Sequence, residues 1–155
     1  MYIDYQARLS DKQSLVAAGS AITSTYILDT IQSGWGHNDE VYARFQVGTA
    51  FVATAACSLT LAIQIAQDTA FASLLTVVSK TQACHGIAKN SLPLVVKLPV
   101  AMMTNQLAGD SLYGPSNQLP YRYVRALYTT TDGVSTGTMS CILVLAAQTT
   151  VDRAL

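Results

Sequence analysis

The chain has 155 residues, half of them apolar, with nine basic and nine acidic side chains and a formal net charge of zero. That length suits a single domain, 1–155, able to bury roughly 70% of the surface its unfolded form exposes. Charged residues make up only 12%, about half the usual share of roughly 25%. A neutral chain without a clustered basic face argues against a nucleic-acid partner, and so sparse a charge implies surface that other proteins cover.

The first ten residues lack a basic region followed by an apolar run and carry Asp4, so no targeting segment is expected there. Residues 11–18 fit two readings. Ser10 and Gln13 stand at capping-box spacing for a helix, and the same stretch also reads as an extended lead-in to the first strand. Residues 21–28 are rich in β-branched side chains and predict a strand. Gly34, Trp35, Gly36, His37, Asn38 and Asp39 then form a turn.

From Val41 the pattern has period two. Val41, Ala43, Phe45 and Val47 alternate with Tyr42, Arg44 and Gln46, and Cys57, Leu59, Leu61, Ile63 and Ile65 repeat the alternation. Successive side chains of a strand point to opposite faces, so each run predicts a strand with one buried face. Residues 45–67 carry no charge and are long enough to cross a bilayer as a helix. Gln46, Thr49, Thr54, Ser58, Thr60 and Gln64 recur through them at strand-like intervals, so no membrane partner is expected.

Residues 74–79 predict a further strand, as do Leu92, Leu94, Val96 and Leu98, which Pro93 and Pro99 mark as an edge. Residues 100–118 hold Met102, Met103 and Tyr113, lack a strand pattern and read as a long loop with a specific job. Residues 119–129 and 139–147 complete the set, the last apolar on both faces as a central strand should be. About eight short strands with no long helical pattern predict an all-β, antiparallel sandwich or barrel.

No constellation for chemistry emerges. Residues 133–137 match the G-x-S-x-G elbow around Ser135, but a strand pattern follows where the elbow needs a helix, and His37 and His85 both precede the serine. The segment reads as a hairpin loop. Cys84 and His85 are neighbours, which an extended chain points to opposite faces. His37, Asp39 and Glu40 lack the spacing of zinc or calcium ligands and read as a solvated turn. No catalytic residue, cofactor or metal is expected. Three cysteines, Cys57, Cys84 and Cys141, are an odd number without framework spacing. They read as ordinary small core or strand residues of a protein folding in a reducing cytoplasm.

Binding chemistry is better represented. Trp35, between two glycines, reads as a core lid or a protein contact ahead of a sugar platform. Tyr121, Tyr123 and Tyr128 interleave with Arg122 and Arg125, which suits an interface and equally suits strand packing. The candidate interface residues are Tyr2, Tyr5, Trp35, Met102, Met103, Tyr113, Tyr121 and Arg122.

The order of these segments resembles a known family. Met1-Tyr2-Ile3-Asp4, Leu9-Ser10-Asp11-Lys12-Gln13-Ser14-Leu15, Ala21-Ile22-Thr23-Ser24-Thr25 and Ile27-Leu28-Asp29 are similar to the opening of the Bbp16-like bacteriophage capsid cement proteins. So are residues 42–51, Ser58-Leu59-Thr60-Leu61, Asp68-Thr69-Ala70-Phe71, Leu119-Pro120-Tyr121-Arg122-Tyr123-Val124-Arg125, Tyr128-Thr129-Thr130-Thr131 and Thr136-Gly137-Thr138. The chain departs from that pattern at 100–118 and in the tail 149–155. The resemblance implies a jelly-roll-like β-sandwich on the outer surface of a tailed-phage virion. There it would clamp neighbouring copies of the major capsid protein as a homo-oligomer, a dimer foremost. Two other functions fit the same sequence: a carbohydrate-binding jelly roll using Trp35, and a small head-completion or tail component.

Overall fold

The computed structural model describes residues 7–16, 19–30, 40–99 and 121–145. Among the described residues nine strands follow in chain order: β1 (Arg8–Ser14), β2 (Ala21–Thr23), β3 (Leu28–Asp29), β4 (Val41–Ala53), β5 (Ser58–Ala66), β6 (Leu74–Ala83), β7 (Leu94–Lys97), β8 (Tyr123–Thr130) and β9 (Val134–Leu145). One sheet has the order β1-β9-β4-β7; the other has the order β2-β8-β5-β6, with β3 also on β8. All pairings are antiparallel.

That order is a jelly roll. β1 pairs with β9, β2 and β3 with β8, β4 with β7, and β5 with β6, as if one long hairpin had been rolled into two facing sheets. The expected all-β sandwich is therefore present, and its alternation explains it. Along β4, Val41, Ala43, Phe45 and Val47 are buried between the sheets and Tyr42, Arg44 and Gln46 are turned outward. β8 answers with buried Val124, Ala126 and Tyr128. The Phe45 and Tyr128 rings meet edge to face with centroids 5.8 Å apart, a favoured aromatic geometry.

Several boundaries differ from expectation for identifiable reasons. Residues 8–14 are strand, so the extended reading of the 11–18 region holds and the helix does not. Two register breaks on β9, between Arg8 and Ser10 and between Ser10 and Gln13, bury Leu9 and Ser10 side by side and erase the alternation. Residues 21–28 divide into β2 and β3, because Ser24 turns its hydroxyl to the Tyr26 carbonyl at 2.9 Å. β9 starts at Val134, five residues before the expected 139, and the loop read at 133–137 is mostly strand.

The cysteine reading is corrected. Cys57 and Cys84 form a disulfide with a Cα–Cα distance of 5.7 Å, and Cys141 is free and buried. The pair stands one step beyond Ser58↔Ala83 on the β5–β6 ladder, and the Cys84 N–H donates to the Cys57 carbonyl at 3.0 Å. Opposed positions on adjacent strands fall within disulfide range.

Candidate interaction surfaces

The registers Arg8↔Ile142, Asp29↔Tyr123, Val41↔Leu145, Tyr42↔Lys97 and Ala66↔Leu74 gather one set of strand ends at one pole of the sandwich. Of the candidate interface residues, Tyr121 and Arg122 are described there. Tyr2, Tyr5, Trp35, Met102, Met103 and Tyr113 lie outside the described residues, as do His37 and Asp39.

Arg122 is tightly held. Its Nε and Nη2 reach Asp29 Oδ1 and Oδ2 at 2.8 and 2.5 Å, and its guanidinium stacks over Tyr123 at 5.2 Å. A two-pronged pair of this kind fixes both partners, and the Asp29 hydrogen bonds hold the guanidinium above its ordinary pKa. The Arg122 carbonyl accepts both the N–H and the hydroxyl of Thr30 at 2.9 Å. Tyr121 is half-buried and packs against the core, which leaves only part of its ring for a partner.

Next to it the outward face of the second sheet carries a contact the sequence reading did not single out. Phe71, in the β5–β6 turn, is nearly buried with φ of 56°, a region that bulky residues rarely enter. The Asp68 carbonyl holds its N–H at 3.2 Å and the Asp68 carboxylate holds the Ala72 N–H at 3.3 Å. Arg125 lies 4.0 Å from the ring centroid and donates to Gln64 Oε1 at 2.8 Å. Phe71 and Arg125 thus shelter Gln64, which points away from the core. Burial pushes the Arg125 guanidinium below its ordinary pKa.

The opposite pole is braced by side chains. Thr54 Oγ1 donates to Asp132 Oδ2 at 2.6 Å, the Ser58 N–H donates to Thr131 Oγ1 at 2.9 Å, and the disulfide lies beside them. The Thr54 hydroxyl and the Gly133 N–H hold the Asp132 carboxyl below the usual carboxylate range. Ser135 lies on a strand and donates to the Val52 carbonyl at 3.0 Å. His85 Nδ1 bonds the Ala53 carbonyl at 2.9 Å, and Cys84, being disulfide-bonded, offers no thiolate for a pair with it. Back at the first pole, Glu40 is ion-paired with Lys97. Among the described residues no group of three potential metal ligands gathers.

Exposed apolar side chains lie mainly along the two flanks. Tyr26 and Ile27 stand at the β2–β3 break, with Val16 just past β1; Leu74 and Leu75 open β6, and Leu92 and Val95 flank or belong to β7. Alternation could place these strands, but it could not say which of them end a sheet. No protein-family model matches the chain, and no curated protein matches it.

Proposed function

We propose that this protein is a non-enzymatic cement protein of a bacteriophage head, binding outside the shell and clamping neighbouring major capsid protein subunits. The observation that carries this reading is the strand order: a jelly roll is one of the architectures on which viral capsid proteins are built, and it is the one the sequence resemblance implies. The identity of the partner rests on that resemblance, since a fold by itself does not name a function. A neutral chain with 12% charged residues supports contact through polar and apolar surface instead of long-range attraction. Such a protein works by many modest interfaces, each on the order of 1,000 Å². A capsomer leaves only when several clamps break together.

Mixing the purified protein with undecorated expanded heads and sedimenting them together is the direct test. Saturable, symmetry-ordered binding visible by electron microscopy, with greater resistance of the heads to heat, is the expected result. Heads that remain bare at micromolar protein would overturn the proposal.

A further inference from the structure

Arg125 lies on the outward face of the second sheet. Val124, Ala126 and Tyr128 are buried on β8, so Tyr123, Arg125 and Leu127 turn the other way. Residues opposed across a ladder share a face, and Gln64 on β5 is opposed to Arg125. The registers set this pair between Tyr123, Ala66 and Leu74 on one side and Leu127 and Ala62 on the other. A single charge is thus flanked by apolar side chains.

The guanidinium is fixed in place. It stacks on the Phe71 ring at 4.0 Å, and its Nε donates to Gln64 Oε1 at 2.8 Å. Phe71 is itself held at φ of 56° by the Asp68 carbonyl. The terminal edge of Arg125 is left over. Among the described residues Nη1 and Nη2 meet no acceptor, and neither do the N–H groups of the Gln64 amide, although Gln64 is only 7% exposed. The neighbouring carboxylates are engaged elsewhere: Asp29, opposite Tyr123, by Arg122, and Asp68 by the Ala72 N–H. Burial lowers the Arg125 pKa with no carboxylate to offset it, yet a guanidinium keeps its charge at neutral pH.

We propose that Arg125 and Gln64 form a docking point for a carboxylate, the side chain of an aspartate or glutamate presented by a partner protein among apolar neighbours. Charge complementarity names the occupant, since a guanidinium without a counter-ion stands on a face of neutral side chains. The two parallel N–H groups of a guanidinium edge match the two oxygens of a carboxylate. The Gln64 amide, bonded to the same guanidinium, adds a further N–H. An arginine already held by Phe71 and Gln64 loses little freedom on binding. Flanking Tyr123, Leu74 and Leu127 would keep water from the pair once it forms. A partner with an amide in place of the carboxylate would cover the guanidinium and leave its charge unpaired, so it is rejected.

The test is an NMR titration of the full chain, at fixed ionic strength, with a blocked tripeptide that carries glutamate between two leucines. The same peptide with glutamine in the middle is the control. The Arg125 Nε–H and Gln64 amide signals should move together and saturably, with a Kd on the order of 10 mM, as suits a single charge-assisted contact. The glutamine peptide should leave both signals in place. Arg125→Lys keeps the charge but removes the fork, and should abolish the Gln64 response. Phe71→Leu removes the stack and should raise the Kd about two- to fivefold. Signals that stay still, that move equally with both peptides, or that respond more strongly to inorganic phosphate would overturn the proposal. A Gln64 response that survives Arg125→Lys would overturn it too. If Phe71→Leu does not fold, Arg125→Lys, on the open face, decides alone. No shell takes part, so failure here leaves the cement reading standing.

Discussion

The Ser10 hydroxyl lies 2.5 Å from the Tyr128 phenol between the sheets and accepts the Cys141 N–H at 2.9 Å. Each polar group in this buried cluster therefore has a partner, as burial requires. Removing the phenol oxygen with Tyr128→Phe should cost about 1 kcal/mol in denaturant titration. Burial raises the Tyr128 phenol well above its ordinary pKa and raises the Cys141 thiol likewise. Both are acids held protonated in the folded state. Their contribution is thus complete below the unfolded values, about 8.5 for the thiol and about 10 for the phenol, and is lost as pH climbs past them. Stability measured against pH should be insensitive to these groups through neutrality and decline from about pH 9 upward. Cys141→Ala should move that onset toward pH 10, and an unchanged onset would refute the assignment. Gly137 is limited by space: a Cβ there would lie 2.5 Å from Phe51 Cδ1. Gly137→Ala should destabilise by about 1–3 kcal/mol, and Phe51→Leu in the same chain should recover part of the loss by giving the methyl room.

The β5–β6 hairpin is an element closed at its mouth by Cys57–Cys84, with a sequence separation of 27. A loop of that size corresponds to about 3–4 kcal/mol in the chain-entropy account. Reduction, or the double substitution Cys57→Ser and Cys84→Ser, should lower Tm by roughly 6–16 °C. Alkylation after denaturation without reductant should label Cys141 alone; labelling of all three cysteines would show the bond absent. This crosslink was not legible from the cysteines, because only pairing of the strands on either side of a turn puts residues so far apart in sequence opposite one another. The same limit appears elsewhere. β4 was legible as far as Val47, where burial alternates without a break, and β5 through the apolar alternation of Leu59, Leu61, Ile63 and Ile65, although Ala62, Gln64 and Ala66 on its other face are covered too. β1 was not, because its register breaks bury Leu9 and Ser10 together. Arg122 could be picked out as a candidate by its tyrosine neighbours, whereas its partner Asp29 could not, being brought to it only by the β3–β8 pairing. The contact of Phe71 with Arg125 was not legible, because a buried ring in a turn follows no period.

Across the whole molecule the rolled hairpin orders its pairings by chain distance. β5 and β6 adjoin in sequence and meet through a short turn, whereas β1 reaches β9 only after almost the entire chain has been placed. Closing loops costs entropy before the contacts they allow can form, so folds dominated by distant pairings assemble in milliseconds to seconds and build from their local parts. By chain distance the β5–β8 pairing, with the register Leu59↔Thr130 to Ala66↔Tyr123, is expected to join the hairpin next, and β1, on the outside of β9, to be added last. A substitution in the early part should then act on the folding rate and one in the late part on the unfolding rate. Ile63→Val removes one buried methylene in the centre of β5, for about 0.5–1.5 kcal/mol, and Leu9→Ala empties a buried site on β1, for about 2–5 kcal/mol. Stopped-flow measurements on the oxidised protein should show Ile63→Val slowing folding with little change in unfolding. Leu9→Ala should speed unfolding and leave the folding rate nearly as it was. The opposite partition would mean that the sandwich closes from its termini inward, with the β1–β9 pairing already formed in the transition state.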